Sequence, residues 1–342
     1  SLAPSLTSQS EKEHLLLCVV GKNREPLFVK SLIEGQAFLA RFSSMLAESD
    51  DSMKLSEKRK WWSIRRKLNR QMKDFVSELE TEWLGNHAEI FGPPPPTPGG
   101  TTGYHLLCVG RLVQHLPWEA MPVLQDQSVG RVPSLSFAVA HQLLQEAQKR
   151  WELDPRLGYY VLNPRGDLPD TEKRFHGWFQ KELRWTGVVG HAPSSAQFSE
   201  ALQNHDVFVY CGHGTGREFL STDHFQLLSC QATTLLMGCG SGRLVVGGAC
   251  DPAGMALNYL LAGCPSLVAI LWDVTDGDID RLSKSLLEQW LEEGERGEEE
   301  EEEEGERLPL SLALARARSV CKLEGLNGYA AILYGNPSIA VT

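Results

Sequence analysis

The chain has 342 residues, 42% of them hydrophobic, which is enough apolar content for one large or two modest domains and argues against disorder of the whole. Its formal net charge of −11 is mostly local: residues 292–307 hold eleven Glu and two Arg, a net of −9, and −11 less −9 leaves −2 elsewhere. That balance excludes the large basic face of a dedicated nucleic-acid binder, and no apolar run reaches the ~18 residues of a spanning helix. The opening SLAPSLTSQSEKEH lacks the charged, apolar, small-residue order of a secretory signal, so the expectation is an intracellular chain without membrane attachment. Eight cysteines (Cys18, Cys108, Cys211, Cys230, Cys239, Cys250, Cys264, Cys321) form no CxxC pair and read as reduced thiols, most of them small buried hydrophobes.

In chain order, HLLLCVV predicts one short strand, and residues 27–84 are dominated by helix formers. KRKWWSIRRKLNRQMKDFVSELETEWL sets Trp62, Leu68, Phe75 and Leu79 at near-helical spacing between charged faces, the pattern of a long helical hairpin. Its Lys and Arg residues read as a solvated face, with a grip on an acidic partner as the alternative. GPPPPTPGG at residues 92–100 can continue neither a helix nor a central strand. The expected organisation is therefore an N-terminal strand and helical hairpin over 1–91, a Pro/Gly-rich linker over 92–103, and an α/β domain over 104–342.

In that domain, apolar runs alternate with helical segments: YHLLCVG, LSFAVAHQLLQEAQKRW, YYVLN, TEKRFHGWFQKEL, WTGVV, SSAQFSEALQN, DVFVY, TTLLMG, AGMALNYLLAG, SLVAILWDV. The order predicts a mainly parallel sheet with helices on both faces, and such sheets bind ligands at the carboxyl ends of their strands. Ser194 is placed to cap the helix before DVFVY. The Glu-rich stretch 292–307 is low-complexity and self-repelling, and reads as a disordered surface loop ahead of the helix LPLSLALARARSVCKL.

Two strand ends carry chemistry. DVFVYCGHGTG and TTLLMGCGSGR each pass from an apolar run into a glycine-rich turn holding one reactive side chain, His213 and Cys239, 26 residues apart, which leaves room for one crossover. An imidazole beside a thiol can take its proton, and backbone N–H groups freed by such turns can hold an oxyanion, so the natural reaction is acyl transfer. A phosphate cradle is the first alternative, but neither turn has Walker or GxGxxG spacing. A zinc site from Cys211, His213 and Cys239 is the second, without an obvious fourth ligand.

Five motifs in order, LPWEAMPVL, YYVLNPRGDLPDTE, VYCGHGTG, LLMGCGSG and LLAGCPSLVAILWDVTDGDIDR, resemble the C-terminal protease region of the separase family, and WWSIRRKLNRQM resembles the insert of its vertebrate-type members. The resemblance implies a caspase-like fold and a cysteine endopeptidase without metal or other cofactor, with Cys239 as nucleophile, His213 as its proton partner, and the N–H groups of Gly214 and Cys239 as oxyanion donors. It implies cleavage after arginine in acidic-x-x-Arg motifs, chiefly in the kleisin subunit of cohesin. Asp280 matches the carboxylate of the arginine pocket, with Asp276 second and Trp272 a stacking wall; helix N-terminal charge for Asp276 and Asp278, and an ordinary core role for Trp272, are the alternatives. It further implies inhibition by securin, association with cyclin-dependent kinase and cyclin B, and residence in cytoplasm and nucleus. The chain departs from the family pattern at Gly240, where serine is expected, and at Thr215. Trp118 and Glu119 in LPWEAMPVL, and the turn at Asn163, Pro164 and Gly166, read as structural. Competing classes are a caspase-like interaction module that no longer cuts and a caspase-like peptidase of other specificity.

Overall fold

The computed structural model describes residues 15–19, 27–31, 35–85, 88, 91–93, 103–111, 113–148, 152–245, 252–291 and 308–341. The Glu-rich stretch 292–307 and most of the linker 92–103 lie outside these residues.

The N-terminal part opens with an antiparallel pair, β1 (Leu15–Val19) and β2 (Leu27–Ser31), the second of which the helix-rich composition of 27–84 concealed. Helices α1 (Gly35–Met53) and α2 (Lys58–Glu78) follow as a hairpin, and α2 runs into a wider turn of helix over Leu79–Leu84. Leu68, Met72, Phe75 and Val76 form the buried edge of α2, as the helical spacing requires. The hairpin's core is continuous with that of the α/β domain: the buried Phe42 ring sits 5.7 Å from Trp272, edge to face.

The α/β domain is built on an eight-stranded sheet. Its strands are β3 (His105–Cys108), β4 (Val129–Val132), β6 (Gly158–Leu162), β7 (Thr186–Val189), β8 (Val207–Cys211), β9 (Thr233–Leu236), β10 (Ser266–Ile270) and β11 (Ala331–Gly335), in the order β3-β4-β11-β10-β9-β8-β6-β7. Every pairing is parallel except β10 with β11. The four central strands β11, β10, β9 and β8 are buried along their whole length, and three of them, β8, β9 and β10, are the runs the sequence shows as DVFVY, TTLLMG and SLVAILWDV. A two-stranded parallel pair joins β5 (Glu152–Leu153) to β12 (Ala340–Val341).

Helices α3 (Leu135–Gln148), α4 (Pro169–Gly177), α5 (Ser195–Asn204), α6 (Thr222–Leu227), α7 (Met255–Leu261), α8 (Asp276–Leu291), α9 (Leu310–Ala317) and the single turn α10 (Glu324–Asn327) cover both faces of the sheet. The mainly parallel α/β class read from the sequence is the one found. Ser194 caps α5 as expected: its hydroxyl accepts from Gln197 N, and the Gln197 side chain accepts in return from Ser194 N.

The LPWEAMPVL segment is fastened by buried charge. Arg131 on β4 donates to both oxygens of Glu119, at 2.5 and 2.6 Å, and to the carbonyls of Gln114 and Leu116. Arg318 donates to the carbonyls of Glu119 and Ala331, so the segment is tied to β4 and β11 together. Removing one partner of such a pair strands the other charge in the core. Arg131→Met is expected to lower the unfolding free energy by about 3–5 kcal/mol in urea titration; a change within ~0.5 kcal/mol would mean that the pair is not buried as described.

Candidate functional site

The strand register decides where the site lies. β8 and β9 pair in parallel with Tyr210 opposite Leu236. His213 and Cys239 each stand three positions beyond that pair, so the two loops leave the sheet side by side at its carboxyl edge. The sequence spacing of 26 is filled by α6, a short crossover. Contact between the loops is closer than any side chain would allow. A Cβ on Gly238 would lie 2.0 Å from Gly214 O and 2.8 Å from Gly214 N, so only glycine lets the backbone before Cys239 touch the loop after His213. Gly214 itself sits at φ 65°, which turns the histidine loop back over the strand end. Tyr210 Oη pins that turn by donating to His213 O at 2.8 Å. On the other loop, Ser241 Oγ donates to Leu236 O and accepts from Ile270 N, tying the cysteine turn to β10.

Cys239 is part-buried, and its Sγ lies 3.4 Å from both Val274 O and Val274 N. Burial pushes the thiol above its ordinary pKa; the Val274 backbone opposes this, while Asp273 and Asp276 add to it. At neutral pH the resting group is therefore a thiol. The His213 ring is half exposed and its Nε2 lies 3.3 Å from Asp167 Oδ2. Nothing in the sequence marks Asp167, because NPRGDL carries only the composition of a turn. Asn163 in that turn has φ 51° and is buried; its amide accepts from Leu168 N and donates to Glu172, which holds the loop bearing Asp167 beside the histidine.

A small cleft between the two loops and the start of α8 is lined by His213, Cys239, Cys211, Met237, Thr171, Asp276, Ile279 and Asp280. Its floor carries one buried carboxylate. Asp280 is 3% exposed and accepts from Thr171 Oγ1 at 3.0 and 3.1 Å, with Arg174 Nε 3.5 Å away. Burial raises its pKa to about 6, against the pull of Thr171 and Arg174. Asp276 sits exposed at the cleft rim in the first turn of α8.

One residue is placed differently from the expectation, and a second lies outside the cleft. Trp272 is not a wall of the cleft: it is 2% exposed, faces Phe42, and donates from Nε1 to Leu326 O, so it is a core residue with a satisfied indole. Asp278 points away from the cleft as well, accepting from the backbone N–H groups of Lys322 and Leu323 and from Asn327 Nδ2. Among the described residues no group of three or more His, Cys, Asp or Glu is arranged to hold a metal ion, and no helix is long and apolar enough to cross a membrane.

A thiol and an imidazole at adjacent strand ends, with a buried carboxylate in the same cleft, define a site suited to thiol-based acyl transfer. Residues 96–279, just over half of the chain, match the family described as Separin, protease domain, and the chain belongs to that family. It is 39% identical to the separin of Mus musculus over 236 residues, covering 68% of this chain and 11% of the mouse protein. The separin of Emericella nidulans is 40% identical over 239 residues, with the same two shares. The chain thus spans about a ninth of the length of these curated relatives. Its fold is similar to that of the Saccharomyces cerevisiae separase–securin complex, with a TM-score of 0.83 and 22% identity over 96% of this chain and 29% of that one. The caspase-like fold class expected from the motifs is the fold found.

Burial of the Asp280 carboxyl makes stability depend on pH. With a folded-state pKa of about 6 against ~4 unfolded, the native state holds its proton longer, so ionising Asp280 destabilises the fold as pH rises through that window. Asp280→Asn is expected to raise the melting temperature more at pH 8 than at pH 5; an equal change at both would show that the carboxylate is not held above its ordinary range.

Proposed function

We propose that this chain is the catalytic region of a cysteine endopeptidase that cleaves on the carboxyl side of arginine in acidic-x-x-Arg segments. The observation that carries the proposal is the convergence of His213, Cys239 and the buried Asp280 on one cleft. Family membership, with the separin name shared by the curated relatives, supports the same reading.

In this reading the arginine side chain enters the cleft and its guanidinium pairs with Asp280, a charge-assisted contact strengthened by the low exposure of the floor. Asp276 at the rim adds negative potential along the entry. His213 accepts the thiol proton as Cys239 Sγ attacks the carbonyl carbon, and the oxyanion is held by the N–H groups of Gly214 and Cys239. The raised thiol pKa favours this coupled transfer over a preformed thiolate–imidazolium pair. The C–N bond then breaks, His213 returns the proton to the leaving amine, and a thioester remains. Water attacks the thioester with His213 as base, releasing the new carboxyl terminus and restoring the thiol. Asp167 orients the imidazole and stabilises it while it carries the extra proton; as a half-exposed pair its contribution is modest, about 5-fold in rate.

By the same membership the proposed substrate is the kleisin subunit of cohesin, cut to release sister chromatids at anaphase. Securin is the proposed inhibitor, a choice supported by the solved yeast relative, which is a separase–securin complex. Cyclin-dependent kinase with cyclin B is the further proposed partner, and cytoplasm and nucleus are the proposed locations. The competing reading is a non-cutting interaction module.

Two measurements test the proposal. A Glu-x-x-Arg peptide is expected to be cut after arginine by this chain, with a loss of about 10⁴-fold or more in kcat/KM for Cys239→Ser; reactivity unchanged in that variant would remove Cys239 as nucleophile. Replacing arginine by its neutral isostere citrulline isolates the pocket, because both peptides share the pH dependence of the thiol and imidazole. The arginine-to-citrulline ratio of kcat/KM is expected to rise as pH increases through about 6, where Asp280 ionises, and to stay flat and about 100-fold lower in Asp280→Asn. A ratio that is pH-independent in the unaltered chain would take Asp280 out of the pocket.

A further inference from the structure

Beside its apolar buried edge, α2 carries a polar row at helical spacing. Arg65, Asn69 and Lys73 stand four residues apart, and all three grip α10: Arg65 Nη2 donates to Asn327 Oδ1 at 3.0 Å, Asn69 Oδ1 accepts from Leu326 N at 3.1 Å, and Lys73 pairs with Glu324. α10 is in turn fastened to the loop that runs from the end of β10 into α8. Asn327 Nδ2 donates to Thr275 Oγ1 at 3.0 Å and to Asp278 Oδ2 at 2.7 Å. Leu326 O accepts from Trp272 Nε1.

That loop and the first turns of α8 touch the site at three points. Val274 holds Cys239 Sγ between its N–H and its carbonyl, and Asp276 and Asp280 line the cleft. A chain of hydrogen bonds therefore leads from a buried guanidinium on the N-terminal hairpin to Thr275 and Asp278, which flank in sequence the residues that line the cleft.

The chemistry of the chain gives it one orientation. A guanidinium only donates and a carboxylate only accepts, so Asn327 must turn its oxygen to Arg65 and its NH2 to Asp278 and Thr275. Arg65 is fully buried and also donates through Nη1 to Ser49 Oγ, Ser52 Oγ and Met53 Sδ at the end of α1, while its Nε has no hydrogen-bond partner. An apolar side chain of similar volume would fill the same space with less desolvation. The position thus carries a charge whose distinguishing contribution is the set of hydrogen bonds that ties Asn327 on α10 to Ser49 and Ser52 on α1.

We propose that Arg65 and Asn327 are positioning residues of the site: they fix residues 274–280, and through them the cradle of Cys239 Sγ and the carboxylates of the cleft. The inference rests on the proposed peptidase reading for its functional consequence, and on geometry alone for its structural one. The hairpin is then part of the working site, and a partner that displaces α2 alters arginine selectivity without touching the cleft.

Hydrogen exchange of residues 274–280 and the arginine-to-citrulline ratio, read together on the whole chain, test it. Arg65→Met is expected to speed exchange in 274–280 while β8 and β9 remain protected, and to lower the ratio about 5-fold. Arg65→Lys and Asn327→Ser, milder changes, give the same direction if Arg65→Met does not fold. Lys67→Met, on the outer side of α2 where Lys67 pairs with Glu48 at 3.1 Å, leaves both readouts unchanged. A merely structural role lowers the melting temperature and the titrated fraction of active sites but keeps the selectivity of the molecules that remain. Unchanged exchange in 274–280 for both Arg65 variants overturns the proposal. Failure of the unaltered chain to cut, with exchange responding as expected, overturns the peptidase reading and leaves the positioning one standing.

Discussion

Parallel pairing of β8 with β9 in one register is the constraint on which the site depends. The pair puts two loops at one edge of the sheet with equal reach, and Gly238 lets their backbones meet where any Cβ would collide with Gly214 O. Neither loop could place its side chain alone. The histidine turn is held by Tyr210, the cysteine turn by Ser241 and β10, and each anchor is a hydrogen bond to a strand that is itself buried along its length. The rigidity of the parallel core is thereby passed to two short glycine-rich turns that have little packing of their own.

The second organising feature is the use of buried polar groups away from the cleft. Glu119 and Arg131 fasten one end of the sheet, and Arg65, Asn327 and Asp278 fasten the hairpin to the start of α8. Asp278 is held below its ordinary pKa: burial would raise it, but Arg281, Asn327 and the N–H groups of Lys322 and Leu323 outweigh that effect. Two residues further on, Asp280 has the opposite balance and titrates near 6. Two carboxylates on one helical turn thus differ through their surroundings: one is an internal anchor held in its ionised form, the other a raised carboxyl in the lining of the cleft.

What was legible in the sequence was whatever a strand end or a cap writes locally. The runs VFVYC and TTLL announced buried parallel strands, their glycine turns announced His213 and Cys239, and Ser194 announced the start of α5. The elements that escaped have weak local patterns. β4 reads VGRV, with a glycine and an arginine whose burial only Glu119 explains; β11 and β2 are five residues each, set in segments that look helical or featureless. Asp167 and Thr171 gave no signal, because their partners His213 and Asp280 lie 46 and 109 residues away in sequence. Trp272 was misplaced for the same reason: adjacency to the aspartates of WDVTDGDIDR says nothing about which way an indole faces. The polar edge of α2 looked like a solvated face, since charges at helical spacing read the same whether they meet water or a buried asparagine.

Peptide mapping after treatment with an arginine-ended electrophilic ketone, which forms a bond only with an activated thiol, shows whether the two loops make a reactive pair. One modification is expected, on Cys239, lost when His213 is replaced by Ala and much slower with a probe ending in a neutral side chain. Labelling of another cysteine such as the exposed Cys108, or equal labelling by the neutral probe, would contradict that expectation.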